Sequence, residues 1–216
     1  MDKIRNLQKS NWNTTHSNYE RKNLKYDDWL NLFENEILKC TTPIIDLGCG
    51  SGNNTLWLLE RGKDVIPCDY SENAIENIKK NFPEIKRTEC FDMVNGFPFP
   101  DNFTDIVIAD LTLHYFSEKD TMKILGEIKR VLRGGLLAFR VNSINDVNHG
   151  AGQGIEIETH LYETEAEGYK RFFDENDIKH FFNGWDISYM QEGNMMRYTK
   201  PKKVWRCFAR TNCHVR

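Results

Sequence analysis

A short apolar run, Pro43-Ile44-Ile45-Asp46-Leu47, opens directly into Gly48-Cys49-Gly50-Ser51-Gly52, and this pairing constrains the chain more than any other feature. An apolar run of that length bounded by a turn reads as a buried strand. Glycine at every second position lets the backbone turn tightly and lets a ligand pack against its N–H groups. The segments that follow repeat the scheme. Asn53 to Glu60 reads as a helix closed by Gly62, and Asp64 to Cys68 as a second strand. Ser71 starts a helix to about Asn81, with a capping hydroxyl and an acidic first turn. Ile85 to Cys90 is a third, less hydrophobic strand, and Thr104 to Ala109 a fourth. Ser117 to Leu132 is a helix ended by Gly134-Gly135, and Leu136 to Val141 is a fifth strand. This alternation predicts an α/β fold with a mostly parallel sheet and helices on both faces.

The flanks are less regular. Leu24, Trp29, Leu30, Phe33, Ile37 and Leu38 recur at roughly helical spacing, which predicts an amphipathic helix over Tyr19 to Lys39 within an N-terminal helical lid, residues 1–40. From Asn142 to Tyr169, Asn, Gly, Glu and Thr dominate, and His149-Gly150-Ala151-Gly152-Gln153-Gly154 predicts irregular structure. A loop this long inside a compact domain is usually functional, so residues 142–170 are taken as a substrate loop. Asp174 to Phe182 reads as a short helix, Trp185 to Gln191 as a strand and Lys203 to Arg210 as a closing strand. No linker sets off a second domain, so residues 1–216 are expected to form one domain around a cofactor-binding core, 42–142.

Composition excludes some classes. A net charge of -3 offers no broad basic surface for nucleic acid. Lys200, Lys202, Lys203, Arg206, Arg210 and Arg216 form a basic run opposite an acid-rich stretch from Glu156 to Glu192, and both read as solvated faces. No apolar run approaches the roughly 20 residues of a membrane span, and the start is too polar for a secretory signal. The cysteines Cys40, Cys49, Cys68, Cys90, Cys207 and Cys213 show neither a C-x-x-C pair nor zinc spacing. They are expected to be reduced thiols in a cytoplasmic protein.

Ligands of open α/β sheets sit outside the carboxyl ends of the strands. The first strand end carries Asp46, Gly48, Cys49, Gly50, Gly52 and Asn53. A dinucleotide fingerprint would need glycine at position 53, which disfavours an NAD-dependent dehydrogenase; the loop suits the amino-acid end of a nucleoside ligand. Asp69, beside Tyr70, can accept hydrogen bonds from both ribose hydroxyls, while Ser71 serves as the helix cap. Asp92 either accepts from an adenine amino group, with Phe91 and Met93 flanking the ring, or sits in a surface turn. At the fourth strand end, Asp110 and the backbone at Leu111 can meet an ammonium or sulfonium, which leaves His114 and Tyr115 near the transferred group.

Ile44-Ile45-Asp46-Leu47-Gly48-Cys49-Gly50-Ser51-Gly52, then Asp69, Asp92, Asp110 and Val131-Leu132-Arg133-Gly134-Gly135-Leu136-Leu137, resemble the ordered motifs of class I S-adenosylmethionine-dependent methyltransferases. The resemblance spans roughly Thr42 to Asn142. It implies a Rossmann-like three-layer sandwich with a seven-stranded sheet, order 3-2-1-4-5-7-6, the last strand antiparallel. S-adenosylmethionine is the implied cofactor and S-adenosylhomocysteine its product. Phe172 to Ile178, Gly184-Trp185-Asp186-Ile187, Glu192 and Arg197 resemble the small-molecule branch that includes tellurite-resistance methyltransferases. A His-Arg pair on the substrate side of that branch reads Met196-Arg197 here, so only Arg197 carries over and tellurite chemistry is not implied.

Methyl transfer is an in-line displacement that gains most from positioning and exclusion of water, and an oxygen or nitrogen nucleophile can also need a general base. His114, with Tyr115 beside it, is the candidate for that role, or else His114 packs beneath the cofactor. Trp12 and Tyr19, with His16, precede the first helix and either cover the ligand or pack on the domain. His149 in the substrate loop is a further substrate-side candidate. His149, Glu156, Glu158, His160 and Tyr162 lack compact ligand spacing, so no metal is expected. The expected partner is a small molecule, with neither nucleic acid nor membrane, and the assembly a monomer or homodimer. A nucleic-acid or protein methyltransferase and a non-catalytic cofactor-binding protein are the alternatives; Asp110-Leu111-Thr112-Leu113 lacks the Asn-Pro-Pro-Tyr signature of exocyclic-amine enzymes.

Overall fold

The computed structural model describes residues 2–15, 20–165 and 168–211. Strands β1 (Ile44–Leu47), β2 (Val65–Asp69), β3 (Glu89–Cys90), β4 (Thr104–Asp110) and β5 (Leu132–Asn142) alternate with helices α3 (Asn53–Leu59), α4 (Glu72–Asn81) and α5 (Glu118–Val131). They follow α1 (Asp2–Thr15) and α2 (Glu34–Lys39). After β5 come β6 (Ile155–Glu158), β7 (Leu161–Thr164), β8 (Gly168–Arg171), α6 (Glu175–Phe181), β9 (Trp185–Met195) and β10 (Lys202–Thr211). The main sheet runs β3-β2-β1-β4-β5-β10-β9. Its first five strands are parallel, and β10 is antiparallel to both β5 and β9. This is the expected seven-stranded order.

Alternate residues of the buried strands serve opposite faces. Ile45, Leu47, Val107, Ala109, Leu137 and Phe139 pack on Ile124 and Ile128 of α5 and on Phe181 of α6. Ile44, Ile106, Ile108, Leu136 and Ala138 pack on Trp29, Leu30, Trp57 and Leu58. The helix starts are set by side-chain caps: Ser71 accepts from Ala74 N–H, Ser117 from Asp120 N–H, and Asp174 with Asp177 forms a capping box at α6.

Four local expectations are corrected. The helix over Tyr19 to Lys39 is broken into 3-10 turns at Arg21–Asn23 and Asp28–Phe33 before α2. Its apolar residues Trp29, Leu30 and Ile37 are buried all the same, because tertiary packing rather than a continuous helix orders them. The third strand shrinks to Glu89–Cys90 at the sheet edge. Residues 143–154 stay irregular apart from the 3-10 turn Val147–His149, but Ile155–Glu158, Leu161–Thr164 and Gly168–Arg171 pair in a separate antiparallel sheet, β6-β7-β8. Gly134-Gly135 does not end α5 outside the sheet but lies inside β5, where the β4 register slips between Thr104 and Ile106.

Gly135 is there because of a close approach. A Cβ on it would lie 2.0 Å from the Asp105 carbonyl oxygen. Gly135→Ala is expected to destabilise the protein by about 1–3 kcal/mol, the usual range for overpacking, measured as a lower urea midpoint at unchanged slope. An unchanged midpoint would show that the bulge yields freely.

Candidate functional site

The β1 turn takes left-handed backbone at Gly48 (φ 70°), Gly50 (51°) and Gly52 (92°), a region that glycine enters without steric cost. Gly48 and Cys49 both donate to the Cys68 carbonyl, at 2.8 and 2.9 Å. A Cβ on Gly48 would meet Thr112 Oγ1 at 2.3 Å, so the turn lies against the segment after β4. Asp46 is 1% exposed. Its Oδ2 accepts from Thr55 Oγ1 at 2.6 Å while its Oδ1 meets no donor. Burial, with Asp110 and Asp69 nearby, pushes its carboxyl up to about 7. Asn53 donates to the Lys25 carbonyl and ties the N-terminal segment to α3.

At the next strand end, Asp69 accepts from Gly50 N–H at 2.8 Å and Ser71 N–H at 2.9 Å. Those bonds fix its carboxylate plane beside the glycine turn. Tyr70 follows it, with Lys9 Nζ of α1 4.9 Å from the ring centroid. Asp92 accepts from Val94 N–H at 3.1 Å and from Arg5 Nη1 of α1 at 3.2 Å, and Met93 behind it is buried. Asp46, Asp69 and Asp92 therefore stand at the carboxyl ends of adjacent strands, with α1 reaching over the last two.

Asp110 has a different environment from the one its position suggests. Arg140, 1% exposed, gives it two hydrogen bonds of 2.7 Å and gives Asp27 two more of 2.9 and 2.7 Å. Trp29 lies under the guanidinium, 4.5 Å from ring to Cζ. Burial alone would raise the Asp110 carboxyl, but the charge and bonds of Arg140, helped by Arg197, hold it below the ordinary value. Arg197 Nη2 stands 3.6 Å from Asp110. Leu111 follows in left-handed backbone, φ 55°, a strained conformation for a branched residue. The pattern Leu-Leu-Ala-Phe-Arg-Val over 136–141 put a charge in an apolar strand, a signal that sequence reasoning passed over.

His114 is buried, and its carbonyl accepts from Arg171 N–H at 2.7 Å. Its Nδ1 has no partner. Burial first, then the charges of Lys202 and Lys170, push the imidazole well below its usual range and keep it neutral. Its ring packs 4.2 Å from Tyr115, which in turn takes the edge of Trp12 of α1 at 5.1 Å. Gln8 of α1 donates to the Tyr169 carbonyl of β8 at 3.1 Å, and a Cβ on Gly168 would touch Ile4 and Gln8 at 3.0 Å. Thus α1 and the small sheet close together over Tyr115. Tyr19 and His16 lie outside the described residues.

His149 sits apart from the three strand-end carboxylates, in a 3-10 turn after β5, bonded to Asp146. His160, Asp174 and Asp177 bring three donor atoms within 4.8 Å of one another. The two aspartates are the capping box of α6, however, and His160 Nδ1 bonds Asp177 at 2.7 Å. These groups are occupied in capping the start of α6. Among the described residues no helix is long and apolar enough to cross a membrane. Cys40, Cys49, Cys68, Cys90 and Cys207 are free thiols, and Cys213 lies outside the described residues.

Comparison with known proteins bears on this arrangement. The methyltransferase-domain family model matches residues 45–139. A tRNA N(3)-methylcytidine methyltransferase of Drosophila melanogaster is 38% identical over 109 residues, 45% of this chain and 33% of that protein. The chain spans about a third of the length of the first curated relatives it matches. Among solved structures, an S-adenosylmethionine-dependent methyltransferase of Methanosarcina mazei superposes with a TM-score of 0.68 at 19% identity, over 78% of this chain and 92% of that one. TehB of Haemophilus influenzae does so with 0.62 at 18% identity, over 85% and 61%. Residues 45–139 thus match the methyltransferase-domain family model, and the chain shares the fold of solved S-adenosylmethionine-dependent methyltransferases.

Proposed function

We propose that this chain transfers the methyl group of S-adenosylmethionine to an oxygen or nitrogen of a small molecule, acting as a monomer or homodimer without a nucleic-acid partner. The observation that carries this reading is the roof: α1 and the β6-β7-β8 sheet meet over Tyr115, which favours an enclosed acceptor. The set of acceptors fits the cofactor. Asp69 suits vicinal hydroxyls, Asp92 a purine amino group, and the unpartnered Asp46 Oδ1 a cationic amine. When bound, S-adenosylmethionine supplies an electrophilic methyl carbon on a sulfonium with a neutral leaving group. The chain's own part is to orient and to exclude water: the glycine turn and Asp69 set the nucleoside, while Trp12, Tyr115 and the small sheet shield the transfer face.

The tRNA-modifying relatives favour a second reading, in which the acceptor is a nucleic acid. Their similarity to this chain covers 45% of it. Methyl-labelled S-adenosylmethionine offered in parallel to a small-molecule extract and to bulk tRNA separates the two, and label in the small-molecule fraction alone is expected. Asp69→Ala should weaken S-adenosylhomocysteine binding by about 30- to 100-fold in calorimetry, the loss of charge-assisted hydrogen bonds. Wild-type affinity in that variant would refute the ribose assignment.

A further inference from the structure

We propose that His149, held by Asp146, is the general base that takes the proton from the methyl acceptor, an inference that rests on the methyl-transfer reading above. Asp146 is 1% exposed, in the turn that leaves β5. Its Oδ1 lies 2.9 Å from His149 Nδ1 and accepts the Lys203 N–H at 3.0 Å. Its Oδ2 stands 3.3 Å from Lys202 Nζ. Its carbonyl accepts from His149 N–H at 3.0 Å and Ala151 N–H at 3.2 Å. The carboxylate is therefore immobilised from β10 and by its own turn. A carboxylate only accepts, so the bond places the imidazole proton on Nδ1 and leaves the Nε2 lone pair to take another. The His149 side chain keeps 21% exposure, against 1% for Asp146. A buried acid behind a half-buried imidazole is the arrangement that orients a base and faces the imidazolium as it forms.

The position is also right. β5 ends at Asn142, and antiparallel β10 begins beside it at Lys202, so the turn lies at the carboxyl edge of the sheet. Arg197, 3.6 Å from Asp110 at the β4 end, is followed by Tyr198, whose ring is 5.5 Å from that of His149. The Tyr198 ring and the Arg197 guanidinium lie between His149 and Asp110 at the β4 end. His114 is sealed in the core with an unpartnered Nδ1 and is a poor proton acceptor. The charged groups facing His149 are Asp146 from its own turn, Lys202 from β10 and, across Tyr198, Arg197.

The step balances. The acceptor oxygen or nitrogen gives its proton to His149 Nε2 and its electron pair to the methyl carbon. The S–C bonding pair stays on sulfur, which becomes a neutral thioether, and the imidazolium then returns its proton to solvent. Asp146 acts through His149 as a positioning residue.

Spectroscopic, binding and kinetic measurements test this. In the ligand-free protein, long-range proton–nitrogen NMR on labelled imidazoles should show His149 protonated at Nδ1 and bare at Nε2, with the signal identified by its loss in His149→Gln. The opposite tautomer would overturn the proposal. With methyl-labelled S-adenosylmethionine and a small-molecule extract as acceptor, His149→Gln should cut label transfer by about 100-fold or more at pH 7, with S-adenosylhomocysteine affinity within about twofold of wild type. Asp146→Asn, which keeps the acceptor oxygen but loses the charge, should move the acid limb of the pH–rate profile to lower pH. Transfer by His149→Gln within threefold of wild type, or an unmoved acid limb, would overturn the base assignment while methyl transfer stands. A wild-type protein that labels no small molecule removes the methyl-transfer reading and the base with it.

Discussion

Arg140→Met is expected to destabilise the protein by about 3–5 kcal/mol, the range found when one partner of a buried ion pair is removed. Arg140 is buried at the end of a central strand, and among the described residues it carries the charge that neutralises Asp110 at hydrogen-bond distance, while Arg197 stands farther off at 3.6 Å. Without it, Asp110 must protonate or stay ionised next to Asp46, and the Asp27 carboxylate loses the bonds that dock the Asp28–Phe33 turn. The methionine fills the space over Trp29 but supplies no donor. For a chain of this size the loss corresponds to about 6–20 °C in melting temperature. Urea unfolding would measure it, and Arg140→Met with Asp110→Asn should recover part of the loss, because the second change removes the stranded charge. A single variant within 1 kcal/mol of wild type would mean that water reaches these carboxylates.

The same residue shows where reading by residue pattern runs out. The strands, the glycine turn and the Ser71 cap were legible because each is local: apolar runs, alternate glycines and a hydroxyl before an acidic turn act within a few residues. The strand-end positions of Asp69 and Asp92 were legible because topology alone puts strand ends side by side. Asp110 sits where expected, but its role depends on Arg140, 30 residues away, and on Asp27, 113 residues from Arg140. Nothing local announces that network. The small sheet escaped notice for another reason. Ile155-Glu156-Ile157-Glu158 does alternate, but its isoleucines are exposed, so the usual link between alternation and burial fails. Helix α1 carries almost no apolar stripe; it is held by Arg5, Gln8 and Lys9 through polar bonds to Asp92, Tyr169 and Glu72. Periodicity cannot see a helix docked that way.

Asp46 yields the other large effect, and its sign is the reverse of the usual carboxylate. In the unfolded chain its carboxyl titrates near 3.8, and in the fold near 7, because burial disfavours the charge. Between those values the folded state binds more protons, so stability falls as pH rises and the loss is complete above about pH 7. The full difference corresponds to about 4 kcal/mol. Asp46→Asn keeps an acceptor for Thr55 and cannot ionise. It should therefore match wild type near pH 4 and exceed it by up to about 4 kcal/mol at pH 8, read from urea unfolding at each pH. A cationic amine placed against Asp46 Oδ1 would favour the carboxylate, so S-adenosylmethionine binding at pH 6 should release close to one proton. Calorimetry in buffers of different ionisation enthalpy measures that release, which should vanish at pH 8 and in Asp46→Asn. If wild type and Asp46→Asn keep a constant stability difference from pH 4 to 8, Asp46 is ionised throughout and the ligand's charge is balanced elsewhere.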